Sequence, residues 1–285
     1  MPEYFRYVTD RGEIQFGWGF PFVFDKPEGM NEADTNRQET GGYDEDGTEY
    51  EYPTYSPRMV TLPGSFRSSN KAGLYSMRAD MVRIMNGKDK GRLYYYNGHK
   101  EYFSEAVADI PQFGQRMQNV MMFTCYFNLY RFYWKEAKPT KSNLFYRENH
   151  IKDTFQFPFV FTTRYSKGNL INLGDVDADW KITITATSNQ TMQTLSLNTG
   201  LEIKNNTTGE TMLLEYDMTD GEAITIDTEN AKITSSVNGN ILYALSGNST
   251  FFKLKQGKNE IEATNYNASI PVYINSEFYN RYLGV

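Results

Sequence analysis

The chain has a single cysteine, Cys125, and only two histidines, His99 and His150, among 285 residues. One thiol excludes an internal disulfide. Inside "FTCYF" it reads as a buried, inert side chain rather than a nucleophile. The histidines lie far apart, with no serine elbow and no cysteine partner at motif spacing, so no histidine-based catalytic group assembles from them. His99 directly follows Asn97-Gly98 and reads as an exposed turn residue. Positive charge is also short: 29 Lys and Arg against 35 Asp and Glu give a net charge of -6 and a pI near 5.2. No basic cluster of the kind that neutralises nucleic-acid phosphates is present. No apolar run approaches the roughly 20 residues that span a bilayer. The opening "MPEYFRYVTDRGEIQ" is charged from its start and lacks an apolar h-region, so it does not read as a signal peptide, and the expected site of synthesis and retention is a cytoplasm.

What is abundant is aromatic. Phe, Trp and Tyr make up 15% of the chain, with 22 Tyr and 19 Phe, and 39% of residues are hydrophobic. That supports a real core and favours strands over helices. "GEIQFGWGFPFVF" reads as two short strands, "MVTLPGSF" as a strand from Met59 to Leu62, and "RLYYYNGHKEYF" as a hairpin turning at Asn97-Gly98. "VMMFTCYFNLYRFYW" reads as one long aromatic strand or a pair. One segment has helical spacing: Leu74, Met77, Met81, Ile84 and Met85 recur at three- and four-residue steps, with Asn86-Gly87 as a stop signal. Residues 31–58 stand apart, polar and acidic with almost no aliphatic side chains, and too long for an ordinary connection.

The composition changes after Trp134. "KEAKPTKSN" reads as a linker, dividing the chain into residues 1–138 and 139–285. The second part is strand throughout: "FQFPFVF", "DWKITITAT", "TLSLNTGLEIKNNTTGETMLLEY", "AITID", "AKITSSV", "ILYAL" and "FFKLK" follow at sandwich spacing. The expected fold class is therefore mainly β, with two sandwich-like domains, the first carrying one short helix and a long arm or loop.

Three clusters invite a chemical reading. In "GDVDADW", Asp175, Asp177 and Asp179 alternate like the start of a calcium loop, but Trp180 and Ala186 occupy the positions that would need Gly and Glu, so a polar turn before a strand fits better. "YDEDGTEYE" gathers Asp44, Glu45, Asp46, Glu49 and Glu51. Paired glycosidase carboxylates need a rigid cleft that keeps one protonated, whereas these acids sit in a stretch lacking apolar anchors. A protein-contact arm is the sharper alternative, and Tyr43, Asp44, Asp46, Tyr50, Tyr52 and Tyr55 are its candidate interface residues, tyrosine being enriched at interfaces. Trp180 and the many tyrosines of the second half could form a sugar-stacking surface or fill a core; core filling is the commoner use. No catalytic, cofactor or metal residues are assigned.

The order of segments carries a resemblance. "RMVTLPGSF", "MRADMVRIMNGKDKGRLYYYNGHKEYFSEAVADIPQF" and "FNLYRFYW", followed by "INLGDVDADWKITITA", "IKNNTTGETMLL", "GEAITIDT", "FFKLKQGKNEIEA" and "YNRYLGV", together resemble the distal tail proteins of siphophages, the siphovirus-type tail component family. The resemblance covers nearly the whole chain; the acidic 41–51 stretch departs from it. It implies a structural virion protein of the tail tip, not an enzyme, assembled in the host bacterial cytoplasm. The first domain would form a hexameric ring around a DNA channel, each arm gripping the neighbouring subunit. The second would be a galectin-like sandwich pointing outward. Implied partners are the tail tube protein, the tail-tip hub or tail-associated protein, and a receptor-binding protein, with no sequence-specific nucleic-acid binding and no membrane. Six copies would carry 6 × (-6) = -36 charges, a wall that repels passing DNA wherever acids face it. The alternative function is a carbohydrate-binding host-adhesion module on the tail, carried by residues 144–285.

Overall fold

The aromatic alternation of the first half becomes strand pairing in the computed structural model. It describes every residue except 1, 32, 34, 37–38, 41–48, 51–52, 146–163, 187–199, 217, 220 and 266–271. The strands of this half are β1 (Tyr4–Thr9), β2 (Gly12–Gly17), β3 (Phe22–Phe24), β4 (Thr35–Asn36), β5 (Glu39–Thr40), β6 (Glu49–Tyr50), β7 (Thr54–Tyr55), β8 (Arg58–Arg67), β9 (Gly91–Tyr96), β10 (Glu101–Ala108), β11 (Gln112–Met117), β12 (Val120–Leu129) and β13 (Trp134–Glu136), with helix α1 (Lys71–Ile84) between β8 and β9.

β12 runs antiparallel to β8 from Val120↔Arg67 to Leu129↔Arg58. Its far end returns to β10 through Ala106↔Leu129, Val107↔Asn128 and Ala108↔Phe127. The order β12-β8-β3-β2-β1-β9-β10 therefore closes on itself as a barrel, with β11 attached to β12 and β13 to β10. Side chains of β8 and β12 alternate buried and less buried along their length, as the two-residue period of a strand requires. The inward set is aromatic: Phe5, Tyr7, Phe16, Phe66 and Phe127 are sealed from solvent, and rings meet edge-on, as in Phe22–Phe66 at 5.4 Å and Tyr7–Phe127 at 5.2 Å. Each such burial is worth about 2–3 kcal/mol. Helix α1 lays Leu74, Met81 and Ile84 against this core and starts at Asn70, whose side-chain oxygen accepts from Gly73 N–H. The expected helical face is the face that is buried.

β8 continues through Pro63 and Gly64, beyond the expected end at Leu62. The Pro63 carbonyl still accepts a bond from Asp25 N–H at 2.8 Å. Gly64 lies where a Cβ would come 2.4 Å from the Val23 carbonyl and 2.6 Å from the Phe123 ring. The missing side chain allows two strands and a ring to approach closely.

The second half forms β14 (Thr140–Phe145), β15 (Arg164–Asn172), β16 (Trp180–Ala186), β17 (Leu201–Asn205), β18 (Thr211–Leu214), β19 (Ala223–Asp227), β20 (Lys232–Ser235), β21 (Gly239–Asn240), β22 (Gly257–Asn265) and β23 (Val272–Phe278), followed by β24 (Arg281–Tyr282). One sheet is ordered β14-β23-β16-β19-β20-β21 and the other β15-β22-β17-β18. Ile182, Ile184 and Ile226 from the first share one core with Ile203, Met212 and Ile261 from the second, which makes a sandwich. "ILYAL" is a 3-10 turn at Leu242–Ala244 rather than a strand, and "FFKLK" contributes only the bridge Leu254↔Ala178. Short apolar runs carry too little periodicity to separate these cases. "FQFPFVF" lies outside the described residues.

Glu222 is buried at the edge of this core. Its carboxylate accepts from Tyr216 Oη at 2.8 Å, Thr219 N–H at 2.8 Å, Thr219 Oγ1 at 3.0 Å and from Ser235 Oγ. Burial alone would raise its pKa, but the bonds from Ser235, Thr219 and Tyr216 outweigh it and hold the carboxyl below the ordinary glutamate value.

The two compact units are Met1–Lys138 with Arg281–Val285, and Pro139–Asn280. This corrects the expectation that everything after residue 138 belongs to the second domain. β23 completes the sandwich, but β24 leaves it and pairs with β13 through Trp134↔Tyr282 and Lys135↔Arg281. The open edge of β13 attracts it, because unpaired backbone groups there need partners.

Candidate interaction surface

Residues 31–57, expected as an arm or loop, leave the barrel after β3 and rejoin it at β8. Thr35↔Tyr55 and Asn36↔Thr54 form one antiparallel ladder. Glu39↔Tyr50 and Thr40↔Glu49 form a second, one position out of step. The segment is thus a hairpin in two tiers. Thr35, Asn36, Thr54 and Tyr55 are all exposed.

The base of the hairpin is firmly held. Glu28 bridges Thr61 with N–H···O bonds of 3.0 and 3.1 Å in both directions. Tyr55 stacks on Phe132, centroids 4.6 Å apart and planes at 18°, and Phe132 meets Tyr133 edge-on at 5.1 Å. Arg58, the first residue of β8, is buried. Its Nη1 donates to the Met30 carbonyl at 2.8 Å, and its Nη2 donates to those of Phe132 at 2.6 Å and Leu283 at 2.7 Å. Charge-assisted bonds of this kind contribute about 1.5–3 kcal/mol each.

Of the six candidate interface residues, Tyr55 is placed at the hairpin base, half exposed. Tyr50 is placed in backbone only, opposite Glu39. Tyr43, Asp44, Asp46 and Tyr52 lie outside the described residues. Arg58, Phe132, Asn31 and the Arg281–Val285 segment went unrecognised in the sequence. An arginine at a strand start looks like any solvated charge, and only the isolated apolar run "YLGV" hinted that its segment packs.

The other chemical candidates resolve into ordinary structure. Cys125 is buried and its thiol is pushed well above the usual cysteine value by desolvation. His99 is exposed and its backbone N–H bonds Asn97 Oδ1; His150 is outside the described residues. Asp177 pairs with Lys255 at 2.6 Å and Asp179 with Lys253 at 3.6 Å. Among the described residues, no three His, Cys, Asp or Glu side chains gather where a metal ion could sit. Trp180 is only 2% exposed, a core residue and not a stacking platform.

The first unit has a cleft of about 920 Å³ beside the turn from β1 to β2, lined also from β9, β10 and residues 130–131. Asp10, Glu105, Lys90, Arg92 and Arg131 all line it. A small-molecule site is mostly apolar with a few convergent polar groups; this cleft is charged in both signs, as protein contacts are at their rims. Trp18, 76% exposed in the turn after β2, is the other prominent surface feature.

Residues 173–282 match the family described as siphovirus-type tail component, C-terminal domain. The fold of the whole chain is similar to the Dit protein of phage SPP1, described as a paradigm of the hub adsorption apparatus in phages infecting Gram-positive bacteria. The TM-score is 0.72 at 10% identity, covering 97% of this chain and 98% of that one. It is also similar to a chain of the phage P2 baseplate in its activated conformation with calcium, with a TM-score of 0.51, 10% identity and the same coverages. No curated protein matches by sequence.

Proposed function

We propose, on the premise that residues 173–282 carry the C-terminal domain of the siphovirus-type tail component family, that this chain is a structural protein of a phage tail tip. In this reading the barrel unit self-associates into a ring, six copies around a channel that DNA crosses. The ring joins the tail tube to the tail-tip hub and to the receptor-binding apparatus, and the protein works in the virion by assembly rather than catalysis. The second unit would be a galectin-like sandwich that presents partners outward.

The observation that carries the reading is the hairpin at residues 31–57. It has a base held by a buried arginine and a stacked tyrosine, while its first ladder is exposed on both strands. A ladder rooted so well and so exposed suits a contact with another copy. A stable interface needs about 1,000 Å² or more, and an arm adds area without enlarging the domain. The acids of the arm would set register and encounter more than affinity. The adhesion alternative drew on Trp180 and the tyrosines of the second half; Trp180 is buried in the core, while Tyr243 is exposed.

Native mass spectrometry over a range of concentrations tests the proposal. The wild type should form hexamers, alone or with its tail partners. A variant with residues 43–52 replaced by a Gly/Ser linker should stay folded and lose them. Hexamers undiminished in that variant, or a wild type monomeric even with its partners, would overturn the arm.

A further inference from the structure

The base of the arm is finished by residues far downstream. Arg58 Nη1 holds the Met30 carbonyl where the chain departs for the arm, and Nη2 reaches Leu283, 225 positions away. Asn31, the first residue of the arm, accepts through Oδ1 from Val285 N–H at 3.3 Å. Gly284 packs so closely that a Cβ there would stand 3.2 Å from the same oxygen. Arg281 lies over the Tyr133 ring at 4.4 Å. Tyr133 in turn abuts Phe132, the ring on which Tyr55 of the arm stacks. Tyr282 meets Tyr102 edge-on at 5.5 Å and donates to Glu136 at 3.4 Å. Both strands of the arm are therefore fastened to Arg281–Val285, one through Asn31 and Met30, the other through Tyr55 and Arg58.

The barrel closes without this segment, although Tyr282 and Val285 pack against its core. Its seven strands close through β12 and β10, and β24 joins only the outer edge of β13.

We propose that Arg281–Val285 is a strap that sets the arm, seated in the Arg58–Asn31–Tyr133 socket, and that the arm meets a second copy productively only when the strap is seated. This rests on the reading of the arm as a contact between copies. The strap follows the whole second unit in the chain. During synthesis the barrel can close while its arm base is still incomplete, so chains without a finished second unit are held back from self-association. Seating is local and reversible in principle, because a two-residue ladder contributes little by itself; the guanidinium bonds and the ring contacts hold it.

The test removes residues 281–285 from the full chain and follows hydrogen exchange together with oligomer mass. The amides of the Thr35–Asn36 and Thr54–Tyr55 ladder should exchange about tenfold faster or more, while those of β1, β2 and the sandwich keep their protection. Self-association should weaken by a similar factor. Arg58→Lys keeps the strap but offers one ammonium in place of a fork reaching three carbonyls; it should move the same amides in the same direction. Unchanged exchange at the arm base in the shortened chain overturns the strap. Should the shortened chain lose its barrel, Arg58→Lys decides, and unchanged exchange there overturns it equally. A wild type that never associates sinks the ring reading alone, since the exchange comparison still judges the strap.

Discussion

Trp180 and Phe252 hold each other at the centre of the second unit. Their ring centroids are 5.3 Å apart, and the indole Nε1–H donates to the Phe252 carbonyl at 3.1 Å. The tryptophan thus satisfies its one polar atom inside the core, which leaves no face for a ligand. Trp180→Ala should lower the stability of the second unit by about 3–5 kcal/mol. Chemical denaturation resolved by unit would show this, with the first unit's transition unmoved. A loss below about 1 kcal/mol would mean the ring is not packed as described.

Glu222 makes the second unit sensitive to acid. Its folded pKa is lowered, so its contribution is fully present above the unfolded value of about 4.3. That contribution falls away as pH drops through the lower folded value. Stability measured between about pH 6 and 3 should decline with acidification, and Glu222→Gln should flatten that decline. It should also cost about 1–3 kcal/mol at neutral pH, because the fixed Thr219 N–H loses its carboxylate acceptor. An unchanged pH profile in the variant would remove Glu222 from the account.

Gly64 should tolerate no side chain. Gly64→Ala places a methyl group against the Val23 carbonyl and the Phe123 ring at distances of 2.4 and 2.6 Å, so β3 and β8 must separate. We expect a cost of about 1–3 kcal/mol, read as a lower melting temperature of the first unit. Full stability would show that the strands have slack there.

The pairing of β13 with β24 makes the second unit an insertion. Trp134↔Tyr282 and Lys135↔Arg281 are antiparallel neighbours, so a short turn can join them. Replacing residues 139–280 with a four-residue Gly-rich turn should leave a folded first unit with native near-ultraviolet dichroism, as insertions at adjacent chain ends usually permit. An unfolded product would mean the first unit depends on the second.

Strand content, helix α1 and its buried face followed from the sequence because they are local. Alternation along β8 and β12, and the three- and four-residue steps from Leu74 to Met85, report burial within a few residues of chain. The composition shift after Trp134 was likewise visible in a short window. The isolation of residues 31–58 was visible as a lack of apolar anchors, though its two hairpin ladders were not.

Only tertiary structure decided where the strands go. Barrel closure depends on β12 meeting both β8 and β10, and the fate of "YNRYLGV" depends on an open edge at β13. Arg58 became a keystone because three carbonyls from residues 30, 132 and 283 converge on it. No pattern in a sequence encodes a meeting point of four distant segments. Periodicity carries information over the span of one element, whereas a buried charge finds its partners through the geometry of the whole unit.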